Sequence, residues 1–280
     1  MYKTDLIMET CEILKESNVD ISQFSGVKSQ EYLDNTCKVT KVSIINAEGS
    51  LKIGKPIGEY FTVEIEDKTT KNAIFCLSNI IRELVGNEKK VLIAGIGNKN
   101  ITSDALGPLV CDNTVVTRHL LGNKYFKHLN ETSAISTNVL GKTGVETSDI
   151  IKSLLENVKP ECIIAVDALA SRKTHRLGNV IQVSNTGITP GAGVSNERKA
   201  INFENLGVKV IAIGVPTVIT GGTLAYEIDK KADLSLYEDI VVTPKEIDTI
   251  IKKTSTIIAQ GINYAINPVL DEEDIEMFLE

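Results

Sequence analysis

Two aspartates stand where an α/β chain collects its chemistry. Asp104 lies in the loop Gly97-Asn98-Lys99-Asn100-Ile101-Thr102-Ser103-Asp104, between the β-rich run Val91-Leu92-Ile93-Ala94 and a helix opened by Gly107-Pro108. Asp167 directly follows a second apolar run, Ile163-Ile164-Ala165-Val166. In open α/β sheets, ligands and reacting groups gather beyond the carboxyl ends of the strands. If these two strands are neighbours, both carboxylates converge on one crevice. Two such groups held close together cannot both ionise cheaply, so one pKa rises and one proton is shared. The ionised member can then draw a proton from water while the protonated member polarises or protonates an amide. No covalent intermediate is required. Local roles stay open for both: Ser103 or Asp104 suits a helix N-cap, and Asp167 suits a turn.

Other motifs carry less. Gly95-Ile96-Gly97 follows a strand as a dinucleotide loop would, but Asn100 replaces the third glycine, so no nucleotide cofactor is expected. Asn185-Thr186-Gly187 looks like the Asp-Thr-Gly of pepsin-type enzymes with an amide in place of the acid. An amide cannot ionise, which favours a turn role. The loop from Thr186 to Val194, rich in Gly and Pro, either approaches a ligand or main chain closely or simply connects. His119, His128 and His175 show no metal-ligand spacing, so no metal site is expected. Neither a Ser-His-Asp nor a Cys-His arrangement can be picked out. The five cysteines (Cys11, Cys37, Cys76, Cys111, Cys162) include no C-x-x-C pair. In apolar runs such cysteines act as small hydrophobes, as expected of a reduced, cytoplasmic protein.

The elements that must hold these residues alternate. From Val91 onward short apolar runs are separated by helical patterns. Strands are expected at 91–94, 134–136, 163–166, 180–183 and 208–213, and helices over 107–121, 145–157 and 244–266. Thr243, Pro244 and Glu246 fit a capped start for the last helix. Near-continuous apolar strands between helices predict an α/β fold with a largely parallel sheet covered on both faces. The first 90 residues read differently: a helix over 3–16, then more alternating strands over 37–46 and 59–66. Residues ~18–70 are taken as an inserted or attached β-containing segment of a single domain spanning 1–280.

Composition sets the outer limits. The chain has 280 residues, 42% hydrophobic and 24% charged, which is ordinary for a globular protein. A net charge of -7 argues against a nucleic-acid footprint. No window reaches the ~18 apolar residues of a membrane span. The start lacks the order of charge, apolar core and small residues that marks a secretion signal, so the protein is expected to stay inside its cell.

Several segments resemble the germination protease family of spore-forming bacteria. They are Gly95 to Asn98 with Thr102 to Pro108, Ser136 to Thr147, Val166 to Arg172, and Thr186 to Ile188 with Asn196 to Arg198. The likeness implies an aspartic endopeptidase unrelated in fold to pepsin, with Asp104 and Asp167 as the catalytic pair and no cofactor. From the same motifs, Asn98, Ser103, Asn138, Lys142, Thr143, Arg172, Thr186 and Gly187 are implied to bind substrate or shape the site. The implied fold is a three-layer α/β sandwich with a mostly parallel sheet, phosphorylase/hydrolase-like. The implied substrates are small acid-soluble spore proteins in the spore core, cut next to a glutamate. A homotetramer made as a zymogen is implied as well. Two departures stand out: Met1-Tyr2-Lys3-Thr4-Asp5-Leu6 leaves room for a minimal propeptide only, and Asn185 occupies a position where relatives are expected to carry an acid. Two alternatives compete. One is a hydrogenase-maturation-type endopeptidase, which would need a histidine metal ligand. The other is a non-catalytic spore protein that binds its partner through the same crevice.

Overall fold

A computed structural model describes residues 4–16, 25–65, 70–194, 198–237 and 239–279. The start at Met1–Lys3, residues 18–24 and 66–69 of the N-terminal segment, and Asn196–Glu197 of the last motif lie outside these described residues.

Among the described residues there are nine strands: β1 Val27–Asp34, β2 Cys37–Ile44, β3 Gly58–Glu64, β4 Lys90–Ile96, β5 Glu131–Asn138, β6 Cys162–Ala170, β7 Val180–Ser184, β8 Lys209–Thr220 and β9 Val241–Val242. They form one sheet in the order β1-β2-β3-β7-β8-β6-β4-β5, with β9 beside β8. β4 runs parallel to β5 and β6, and β6 runs parallel to β8. β7 is antiparallel to β8 and to β3, β2 is antiparallel to β1 and β3, and β9 is antiparallel to β8. Six strands (β1, β3, β4, β5, β6, β8) therefore point one way and three the other. The N-terminal strands are not a separate layer. They continue the sheet through the pairing of β3 with β7.

Helices cover both faces. On one face, helices Thr70–Val85 and Ile247–Ile266 bury Leu77, Ile81, Ile258 and Ile262 against Ile164, Val166, Ile211 and Ile213. On the other, Ile151 and Leu206 pack against Ile163, Ala165 and Val210. Fully burying each such aliphatic side chain contributes about 1.5–3 kcal/mol. Cys11, Cys37, Cys76 and Cys162 are buried, as small hydrophobes should be.

Three local expectations are corrected. The helix after Gly107-Pro108 stops at Asp112 rather than Leu121. The β-branched run Thr114-Val115-Val116-Thr117 does not continue it: the Val115 N–H donates to Asn263 Oδ1, and Thr117 pairs with Thr132. The helix expected over 244–266 begins at Ile247, and Glu246 makes no side-chain cap. Thr243 donates to the Thr217 carbonyl instead. Strand β6 also runs on to Ala170, so Asp167 lies inside it rather than after it.

Several elements lie outside the expectations, among them one helix and one strand of the sheet's N-terminal half. Helix Thr70–Val85 carries a clear apolar stripe at Ala73, Cys76, Leu77, Ile80 and Ile81. β1 is a polar, largely exposed edge strand whose Val-Lys-Ser-Gln-Glu-Tyr-Leu-Asp has no apolar alternation to read. Among the described residues no helix is long and apolar enough to cross a membrane.

Candidate active site

β4 and β6 are neighbours, which brings the two aspartates to one end of the parallel strands. Asp104 ends a 3-10 turn, Thr102–Asp104, that folds back on the tip of β4. Its Oδ2 accepts from the Asn98 N–H at 2.8 Å. The following helix takes Ala105 as its N-cap without a side-chain bond, so Asp104 is no helix cap. Asp167 is 5% exposed and on the same sheet face as Ala165, and its Oδ1 accepts from the Ala168 N–H at 2.9 Å.

Glycine makes this packing feasible. Gly97 has φ +116°, and a Cβ there would lie 2.1 Å from the Asp104 carbonyl. A Cβ on Gly107 would meet main-chain atoms of Ile96 and Val166 at 2.3–2.5 Å, and one on Gly95 would meet the Gly107 carbonyl at 2.2 Å. The Gly-Ile-Gly sequence thus serves close contact of β4 with the turn and helix that follow it. Gly107→Ala should push this helix off β4 and β6, costing about 1–3 kcal/mol as overpacking. Thermal unfolding should show the loss, and a peptidase assay a fall in rate as the Asp104 turn is displaced.

Register shifts flank the site on both sides. One falls at Thr137 opposite Gly95/Ile96, the other at Thr217 opposite Leu169/Ala170. Such bulges re-aim side chains. Thr137 donates to the Gly95 carbonyl at 3.2 Å, and Thr217 donates to the Ser103 carbonyl at 2.7 Å, which ties the Asp104 turn to β8.

Burial is the main reason the Asp167 carboxyl is held well above the usual carboxylate range. The charge of Asp104 pushes it further, the Ala168 N–H opposes the shift, and Asp5 adds to it. Asp104 is half-buried and also raised by burial, against the pull of the Asn98 N–H. Asp167 is the more deeply buried of the two, which favours it as the member that holds a shared proton.

A cavity of about 700 Å³ lies beside the pair rather than over it. Its lining includes Asp5, Lys55 and Leu169, the last two positions beyond Asp167 on the same face of β6.

The other expected site residues divide into groups. Asn98 and Ser103 hold the Asp104 turn through main-chain atoms. Asn138 ends β5 at φ +60°, with its Oδ1 accepting from the Val139 N–H. Thr186 and Gly187 line the cavity, and Gly187 (φ +79°) passes so near Ile201 that a Cβ would clash. Lys142 and Thr143 are exposed on the short helix after β5, where the Thr143 hydroxyl bonds Val139 and Val145 carbonyls. Arg172 is buried and pairs with Glu227 and Glu16, each at 2.9 Å. Asn185 accepts from the Glu59 N–H at the start of β3, so its amide ties the end of β7 to a distant strand.

Sequence reasoning did not single out Asp5, Glu9, Lys55 or Thr217. Asp5 and Glu9 sit at the start of a helix, where acids are common for local reasons, so nothing nearby marked them. Histidines 119, 128 and 175 are all exposed, and none stands at the pair. Among the described residues no group of three His, Cys, Asp or Glu side chains could hold a metal ion.

Comparison with known proteins is consistent across sequence. Residues 5–231 match the family model described as germination protease. A germination protease of Caldanaerobacter subterraneus subsp. tengcongensis is 39% identical over 99% of this chain and 98% of its own. One from Clostridium perfringens is 41% identical over the same shares, and one from Bacillus cereus is 33% identical over 97% and 95%. Among solved structures, the [NiFe] hydrogenase maturation protease HycI of Thermococcus kodakarensis KOD1 superimposes with a TM-score of 0.37 and 16% identity, covering 65% of this chain and 98% of that one.

Proposed function

The chain belongs to the germination protease family and is a peptidase, and we propose that it is an aspartic-type endopeptidase working through Asp104 and Asp167. The observation that carries this reading is the placement of the buried Asp167 and the Asp104 turn at one end of the neighbouring strands β4 and β6, with Asp104 the largest charged influence on Asp167. Asp104, ionised and steadied by the Asn98 N–H, takes a proton from water as the oxygen attacks the peptide carbonyl. Asp167, still protonated, donates to the carbonyl oxygen; the proton Asp104 took from water then passes to the leaving amine nitrogen as the C–N bond breaks, and Asp167 recovers its proton as the carbonyl reforms. One proton cycles within the pair, and no acyl-enzyme forms.

Small acid-soluble spore proteins are the proposed substrates, cut during germination in the spore core. The family likeness supports that assignment, and with it a homotetramer made as a zymogen. Incubating the purified chain with such a protein should give discrete internal fragments. Intact substrate at every pH and after removal of any N-terminal extension would refute the assignment.

The pair also sets a pH dependence. Activity should fall in acid as Asp104 gains its proton, and fall again at higher pH as Asp167 loses its own. The profile of kcat/KM should be bell-shaped, with both limbs belonging to the coupled pair. A flat profile from acid to neutral pH would count against a shared proton.

A further inference from the structure

Asp5 stands at the junction of the aspartate pair and the cavity, and the chemistry above makes no use of it. Its N–H donates to the Ala170 carbonyl at 3.1 Å, and its Oδ2 accepts from the Ala170 N–H at 2.8 Å. It thereby grips the last residue of β6, three positions beyond Asp167. The same carboxylate accepts from the Gly193 N–H. A Cβ on Gly193 would lie 2.2 Å from Asp5 Oδ2 and 2.7 Å from the Ala170 Cβ, so the loop closes here only because 193 is glycine. The Asp5 carbonyl accepts from Gln182 Nε2 at 3.1 Å and from Lys55 Nζ at 3.3 Å. Four segments thus hold one residue: β6, the glycine-rich loop, β7 and the turn before β3.

We propose that Asp5 is a positioning residue of the peptidase site, its carboxylate stapling the end of β6 to the glycine-rich loop and setting a negative charge toward Asp167. The inference rests on the reading of Asp104 and Asp167 as the working pair. The charged groups that reach Asp5 are Lys55 and Glu9, and those that reach Asp167 are Asp104 and Asp5. Burial raises the pKa of the Asp5 carboxyl, against the pull of the Ala170 N–H, Lys55 and the Gly193 N–H; once ionised, Asp5 opposes ionisation of Asp167, which then keeps its proton to higher pH.

Asp5→Asn separates staple from charge. The amide oxygen can still accept from Ala170 and Gly193, while the charge is gone. The basic limb of the kcat/KM profile should move to lower pH, with folding retained. Asp5→Ala should lose the staple as well and lower kcat. A fall in kcat with the basic limb unmoved in Asp5→Asn would mean that Asp5 is only structural, and the proposal would fail.

Carbon-13 titration of the Asp167 carboxyl decides the same point without turnover. In Asp104→Asn protein, Asp167 should show two inflections, its own and that of Asp5. Adding Asp5→Asn should remove the second and lower the first. A single inflection in Asp104→Asn protein, with its midpoint unmoved in the double variant, would overturn the proposal even if the single Asp5 variants did not fold. Coupled titration in a protein that cleaves nothing would instead keep the coupling and remove the peptidase role of the pair.

Discussion

Asp167→Asn should lower peptide cleavage by about 10²- to 10⁴-fold, the usual contribution of a positioned acid or base, while making the fold more stable at neutral pH. Asparagine keeps the oxygen that accepts from the Ala168 N–H but cannot supply a proton. Asp104→Asn should cost activity to a similar degree, because an amide cannot take the proton of the attacking water. The stability gain follows from the raised Asp167 pKa. Between the unfolded carboxyl pKa and the higher folded one, the native state binds more protons than the unfolded state, so stability falls as pH rises through that window. Its favourable contribution is complete only below the unfolded pKa. Asparagine does not titrate, so the variant's Tm advantage should be present at neutral pH and shrink toward acid. Equal Tm values for wild type and variant across this range would show that Asp167 is not held protonated by its surroundings.

Glu9→Ala should destabilise the protein by about 3–5 kcal/mol, the cost of breaking a buried ion pair by removing one partner. Glu9 is 0% exposed. It accepts from Ser171 Oγ at 2.7 Å, from the N–H groups of Arg172 and Lys173 at 2.6 and 3.0 Å, and from Arg176 at 3.1 Å, and Thr4 donates to it as well. Removing the carboxylate leaves buried donors without an acceptor, and each such group carries its own desolvation cost. Arg176 keeps Glu12, so the loss concentrates on the main chain at 172–173. Because Glu9 ties the first helix to the segment after β6, its loss should also free Asp5 and depress activity. Chemical denaturation would measure the first effect. A loss below about 1 kcal/mol would place the cluster among ordinary exposed ion pairs.

These two expectations sit on either side of what was legible in the residues. Asp104 and Asp167 could be found because each adjoins a short apolar run, and a buried strand leaves that mark in its own sequence. Their partnership needed β4 beside β6, which no local pattern states. Glu9 and Asp5 left no mark of their own. They act on residues 163 and 165 positions away, at Arg172 and Ala170. In the sequence they are two acids near a helix start.

The class of fold, the positions of the central strands, two candidate acids and the family likeness can be read from the residues alone. All of these are recorded in segments of a few residues, as apolar runs, turn glycines and motifs. The folding of distant segments together decided that β7 enters antiparallel between β3 and β8, so that the N-terminal strands extend the same sheet. It also decided that Gly95, Gly97 and Gly107 serve close packing, that Arg172 is taken up by glutamates, and that Asp5 meets the end of β6. Such features depend on pairings between distant segments. Main-chain hydrogen bonds set them without regard to side-chain type, so the residues involved carry no pattern until the chain has folded.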